Sequence, residues 1–302
     1  MQKIRTEQEM RKMTDDYLIR ATAADGMIRA FALTSRNTVE KARQIHGTSP
    51  VAGAALGRLM SAALMMGADM KNEKDLITMR ILGDGPLRSV LVTADNAGHV
   101  KGYVGNPSFV NPANYLGKFD VGGAIGNGSL SVIKDIGLKE PYIGQTMLVT
   151  GEIAEDLAYY FATSEQIPTA VSLGVLMTQE NTVREAGGFI LQLMPGADDD
   201  IAAELEKKVG DLPNITTMLS SGMLPEDILE KALSGFGCEI NAKMPVGYRC
   251  DCTRERVAKA LISVGRKDLE EMVNDGKPVE LSCHFCNKKY SFSTEEIKNL
   301  IR

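Results

Sequence analysis

Apolar positions along this chain fall into two rhythms. Unbroken or alternating apolar runs at 27–33, 76–82, 89–94, 100–104, 170–177 and 186–194 predict strands. Gly83-Asp84-Gly85-Pro86 supplies a turn between the second and third of these. Helical signals stand among them. Thr38 can cap a helix through Arg43, with Glu40 in its first turn. Ser49-Pro50 starts another, and the Ala-, Leu- and Met-rich run to Met70 carries so few charges that this helix should be buried. Gly151 to Phe161 reads as a strand running into a helix, with Ile153, Leu157, Tyr160 and Phe161 at helical spacing and Glu155 and Asp156 in the first turn. Successive strands with short turns predict a largely antiparallel sheet with helices on one side, closed by Pro195-Gly196. The core domain is placed at 16–196, after a flexible tail at 1–15.

The rhythm changes at 197–236. Asp198-Asp199-Asp200 complement a helix N-terminus, and Ile201, Leu205 and Val209 follow at four-residue spacing. Leu212-Pro213-Asn214 interrupts, and Ile215, Met218 and Leu219 form the next apolar face. Leu224-Pro225 starts a third segment with Ile228, Leu229, Ala232 and Leu233 on one side. Isolated helices shorter than about 12–15 residues are marginal in water, so these three must dock on something. A helical subdomain packed permanently on the core is one reading, and a metastable linker is the other.

The last region, 237–302, holds the chemistry. Four of the chain's five cysteines lie there in two tight pairs, Cys250-Asp251-Cys252 and Cys283-His284-Phe285-Cys286, with 30 residues between. Two pairs separated by a foldable stretch are how a small domain gathers four thiolates around one zinc ion. Thr253 can cap a helix through Val264, Arg266 to Asn274 makes a second, a strand from Val279 delivers Cys283, and Tyr290-Ser291-Phe292 can return as its hairpin partner. Ser293-Thr294-Glu295-Glu296 is a capping box for a final helix. So little apolar mass calls for a staple, and zinc in small domains is worth roughly 10–16 kcal/mol of folding free energy. Four sulfurs close the coordination shell and leave no place for a catalytic water, which makes the metal structural or regulatory. Cys238, twelve residues before Cys250, reads as a small, partly buried bystander.

Composition excludes more than it assigns. The net charge is −5, and residues 237–302 carry 12 Lys and Arg against 10 Asp and Glu, too balanced for strong phosphate binding. This argues against a zinc-ribbon nucleic-acid module. A thiol-disulfide oxidoreductase is disfavoured because Cys283 follows a strand, whereas thioredoxin-type motifs open a helix. The glycine run 122–128 lacks the spacing of a phosphate loop, and His46 and His99 are isolated. No catalytic centre emerges, so the chain is not read as an enzyme. No 20-residue apolar run or signal peptide is seen, which places the chain in the reducing cytoplasm, away from membranes. The overall class is α+β: a mixed or antiparallel N-terminal sheet with packed helices, a helical linker and a small C-terminal zinc domain.

Cys-x-Cys, a spacer near 30 and Cys-x-x-Cys, here CDC…CHFC, together with GDGPLRSVLVTAD, GYVGNP, GEIAEDLAYYFATSEQIPTA and AGGFILQLMPG in order, resemble the heat-shock protein 33 family of redox-regulated holdase chaperones. The resemblance implies one Zn²⁺ per reduced chain on Cys250, Cys252, Cys283 and Cys286, and an inactive reduced state. It further implies that oxidation pairs Cys250 with Cys252 and Cys283 with Cys286, releases the metal and unfolds the linker. The protein would then bind unfolding clients without ATP, commonly as a homodimer. Client contacts are expected from Ile201, Leu205, Met218, Leu219, Ile228, Leu229 and Leu233. Met1 to Thr14 and Cys238 depart from the family pattern.

Overall fold

The chain opens on a hairpin, Tyr17–Ala23 (β1) with Ile28–Thr34 (β2), turned through Ala24, Asp25 and Gly26, all at positive φ. The structure is a computed structural model describing residues 15–110 and 119–301. Apart from Asp15, the expected tail lies outside the described residues. The chain divides after Tyr248 into two units.

The first unit contains two sheets where the apolar runs suggested one. Its six-stranded sheet has the order Gly247–Tyr248 (β11), His99–Val104 (β5), Ser89–Asp95 (β4), Leu76–Gly83 (β3), Gly128–Asp135 (β6), Tyr142–Met147 (β7). All neighbours are antiparallel except β11 and β5. The five-stranded sheet runs Glu239–Pro245 (β10), β1, β2, Val183–Leu193 (β9), Thr169–Met177 (β8), antiparallel throughout. Helix Arg36–His46 (α1) precedes the 18-residue helix Pro50–Gly67 (α2), which packs on β3, β4 and β5 of one sheet and β8 and β9 of the other. This placement between sheets explains its uniform apolarity. By length and composition it is the one helix among the described residues that could cross a membrane, yet its surface is already covered. Ser49 caps it as read, accepting from the Ala52 N–H at 3.3 Å behind the proline.

Two local expectations shift. Helix α1 begins at Arg36, and Thr38 lies inside it, its N–H and hydroxyl both donating to the buried Asp16 carboxylate at 2.6 and 2.7 Å. Gly151 to Ile153 is a turn, not a strand. The Asp156 carboxylate accepts the N–H groups of Val149, Thr150, Gly151 and Ile153 at 2.7–3.2 Å and holds that turn at the start of helix Ala154–Tyr160 (α4). The glycine run forms the short helix Val121–Ile125 (α3) and then a close approach to β3. A Cβ at Gly128 would stand 1.9 Å from the Leu82 carbonyl oxygen, so glycine is required there.

The five-stranded sheet is apolar on both faces. Leu18, Phe31, Leu33, Val175 and Ile190 join the core around α2. Ile19, Ala21, Ala30, Ala32, Phe189 and Leu191 point the other way. On that second face lie three helices, Asp199–Gly210 (α5), Ile215–Ser220 (α6) and Pro225–Ala232 (α7), from the segment read as a linker. Leu205, Met218, Leu219, Ile228, Leu229 and Leu233 are at most 6 % exposed there, and Ile201 is half-buried against the same cluster. A polar clamp fastens α7 to the sheet. Tyr17 donates its hydroxyl to Glu226 at 2.6 Å, while Lys243 of β10 bonds the other Glu226 oxygen at 2.9 Å and lies 3.8 Å from the centre of the Tyr17 ring.

The C-terminal boundary moves. The expected zinc domain began at residue 237, but β10 pairs with β1 and β11 with β5, so residues 239–248 belong to the first unit and the second begins at Arg249. Nearly every β10 side chain is exposed. Edge pairing through the backbone leaves no hydrophobic signature, which is why the pattern concealed it. The second unit is Arg254–Ile262 (α8), Arg266–Asn274 (α9), the hairpin Val279–Ser282 (β12) and Lys289–Phe292 (β13), and Thr294–Ile301 (α10), close to the elements read from sequence. Its core is small: Leu261, Leu269, Tyr290, Phe292 and Ile297.

Candidate metal centre

Local structure delivers each cysteine. Cys250 and Cys252 stand on the irregular stretch just before Thr253, whose hydroxyl caps α8 by accepting from the Arg256 N–H at 3.3 Å. Arg256 also pairs with Asp251, the residue between the two cysteines. Cys283 directly follows β12, and the chain then folds tightly: the N–H groups of Cys286 and Asn287 donate to the Cys283 carbonyl at 3.3 and 2.8 Å, and Asn287 takes a φ of 58°. The Cys283 N–H donates to the Lys288 carbonyl at 2.9 Å, closing the turn into β13. Cys283-x-x-Cys286 therefore sits on a hairpin turn and does not open a helix. Arg254 braces the hairpin from α8, donating to the Ser291 carbonyl at 2.7 Å and lying 4.4 Å over the Phe292 ring.

The four sulfurs converge. All lie within 4.8 Å of one another, with Cys250–Cys283 at 3.7 Å and Cys252–Cys286 at 3.3 Å. A tetrahedron with metal–sulfur bonds of about 2.3 Å has edges near ~3.8 Å, so the spacing suits one ion held by both pairs. The separations far exceed the roughly 2.05 Å of a disulfide, and all five cysteines are free. Four thiolates form the donor set of zinc, and nothing but cysteine enters the cluster among the described residues. His284 is not part of it. Cys238 belongs to the first unit, where it packs beside the linker cluster.

Electrostatics prepare the ligands unequally. Burial pushes the Cys252 thiol up, but hydrogen bonds from Tyr290 and the neighbouring cysteines bring it down to about 7. Burial holds the Cys250 and Cys286 thiols above their ordinary range. Metal binding must therefore displace protons, and affinity must fall as the pH falls. Tyr290 is the contact that the sequence reading missed. It was read only as a strand residue, and nothing in the spacing shows that its hydroxyl reaches Cys252.

A family model described as "Hsp33 protein" matches residues 16–293, from the first strand through the metal unit. The chain belongs to the Hsp33 family. It is 58 % identical over 288 residues to the 33 kDa chaperonin of Lachnoclostridium phytofermentans, covering 95 % of this chain and 98 % of that one. It is 54 % identical over 285 residues to the 33 kDa chaperonin of Agathobacter rectalis, covering 94 % and 99 %. The crystal structure of the Thermotoga maritima 33 kDa chaperonin, an Hsp33 homologue, superposes with a TM-score of 0.87 at 39 % identity, covering 95 % of this chain and 98 % of that one. The resemblance read from the cysteine spacing and the four sequence blocks thus holds over nearly the whole chain. Membership makes this Hsp33-family protein a chaperone, with four cysteines placed so that they could hold a metal ion, among relatives named as chaperonins and not as enzymes.

Proposed function

We propose that this chain is an ATP-independent cytoplasmic holdase, silent while its four cysteines are reduced and hold one Zn²⁺, and active once they are oxidised. The observation carrying this reading is the docking of α5, α6 and α7. Their apolar side chains cover an apolar sheet face, and two of them, at 6 and 8 residues, are too short to persist undocked. Undocking would release Ile201, Leu205, Met218, Leu219, Ile228, Leu229 and Leu233 and expose Ile19, Phe189 and Leu191 beneath them, a client surface formed from both partners. Met218 and the half-buried Met223 suit it to varied sequences.

When bound, zinc supplies the cross-links that hold the second unit together. A two-electron oxidant of the peroxide class joins Cys283 to Cys286. The two thiolates give up two electrons and the S–S bond forms, while hydrogen peroxide takes those electrons and two protons from solvent, its O–O bond breaks, and two waters result. Cys250 and Cys252 react likewise with a second oxidant molecule. Each disulfide withdraws two ligands, and the small core cannot hold the fold alone. Continuity of the chain carries the loss upstream: only Arg249 separates Cys250 from β11, and β10 before it shares the Glu226 clamp with α7. The oxidised protein acts as a homodimer on unfolding clients.

Treatment with hydrogen peroxide at heat-shock temperature should remove four of five free thiols and one zinc per chain, and suppress aggregation of a thermally unfolding client without nucleotide. Reductant plus zinc should reverse all three. Cys238→Ser should behave like the parent throughout. Oxidised, zinc-free protein that fails to protect the client would contradict the reading, and a Cys238→Ser chain that no longer activates would bring that residue into the switch.

A further inference from the structure

Two of the four sulfurs receive hydrogen bonds that the backbone provides: Cys250 from the Cys252 N–H, and Cys286 from the Lys288 N–H. Such donors come with the turn itself. Cys252 receives a different one. The Tyr290 hydroxyl stands 3.2 Å from its sulfur and 3.1 Å from its carbonyl oxygen. One proton serves both acceptors, and a thiolate is the stronger because its bond is charge-assisted. The ring below the hydroxyl is 6 % exposed and part of the five-residue core of the unit. Tyr290 therefore joins that core to one chosen ligand.

We infer that Tyr290 is a positioning residue for Cys252, whose hydroxyl steadies that metal-bound thiolate and shields this one sulfur from electrophiles. The inference rests on the zinc reading above. A tetrathiolate centre concentrates negative charge, and a donor on one sulfur disperses it, strengthening retention of the ion. The same bond withdraws electron density from that sulfur, and it is the thiolate lone pair that attacks an oxidant or alkylating agent. Partners of metal ligands commonly govern affinity in this way. The Tyr290 hydroxyl bonds the sulfur of Cys252 and neither Cys283 nor Cys286, so its effect should fall on one ligand although all four are cysteine.

The test uses the full reduced chain loaded with zinc. Tyr290→Phe keeps the ring in the core and removes only the hydroxyl. Zinc affinity is read by competition with a chromophoric chelator, and iodoacetamide labelling is followed cysteine by cysteine by peptide mass spectrometry. We expect zinc binding weaker by about tenfold or more, with Cys252 labelling accelerated selectively over Cys283 and Cys286. Unchanged affinity with unchanged labelling overturns the inference, as does uniform acceleration of all four cysteines, which would mean general loosening of the unit. A parent protein that holds no zinc would instead overturn the zinc reading itself. If Tyr290→Phe does not fold, 3-fluorotyrosine placed at position 290, a stronger donor of nearly the same shape, should slow Cys252 labelling. Unchanged or faster labelling would then overturn the inference.

Discussion

Cys283→Ser is expected to abolish tight zinc binding and to leave residues 249–302 unfolded while the two sheets persist. The size of the effect follows from how little else supports the second unit. Its core is Leu261, Leu269, Tyr290, Phe292 and Ile297, and a core of that size rarely supplies more than ~3–5 kcal/mol. Structural zinc supplies about 10–16 kcal/mol in small domains. Cys283 also makes the turn, its carbonyl accepting from Cys286 and Asn287, so the fold of the hairpin tip and the ligand set depend on one another. The first unit has separate cores around α2 and beneath the linker helices and should not notice the loss of a sulfur directly. Zinc analysis with backbone NMR would check this: a variant with one tightly held zinc and dispersed signals over 249–302 would show that the ligand set is wrong.

The second large effect is expected at Leu229. Its side chain is fully buried on α7, against the sheet face that carries Ile19, Ala21 and Ala30. Leu229→Asp would place a carboxylate there without a partner, at a cost of several kcal/mol or a forced undocking. Because α7 spans only 8 residues, undocking is the easier outcome. The variant should keep its zinc and its reduced thiols, yet suppress client aggregation without oxidation, part-way toward the oxidised parent. Lys231→Asp, on the exposed side of the same helix, should leave the reduced protein silent. Aggregation assays on both reduced variants, with zinc content measured in parallel, decide the matter. A zinc-loaded Leu229→Asp chain with no activity would separate linker docking from chaperone function.

How far the sequence could be read depended on whether an element shows itself by periodic burial. Helix α2 was visible because every face is covered, and the linker helices because one face is. The four ligands were visible because Cys-x-Cys and Cys-x-x-Cys are spacings with a chemical reason. Strand β10 was not, since it holds its place by backbone pairing at a sheet edge and its side chains carry no apolar signal. The turn at 151–153 reads as a strand because its organiser, Asp156, lies inside the following helix and looks like an ordinary first-turn acid. The division into two sheets was hidden for a related reason: strands packed against α2 from opposite sides have the same apolar pattern. Tyr290 was missed because a hydrogen bond to sulfur across 38 residues leaves no mark on local spacing.

The central claim is that the state of the four cysteines governs whether the linker stays docked. Hydrogen exchange of the reduced, zinc-loaded protein and of the fully oxidised, zinc-free protein measures this directly, peptide by peptide. The account predicts low exchange over 199–233 in the reduced form and a sharp rise there after oxidation, together with a rise over 249–301, while β2, β9 and α2 stay protected in both. Protection over 199–233 that survives complete oxidation and zinc loss, with no client bound, would contradict it and leave the metal a staple of the small unit alone.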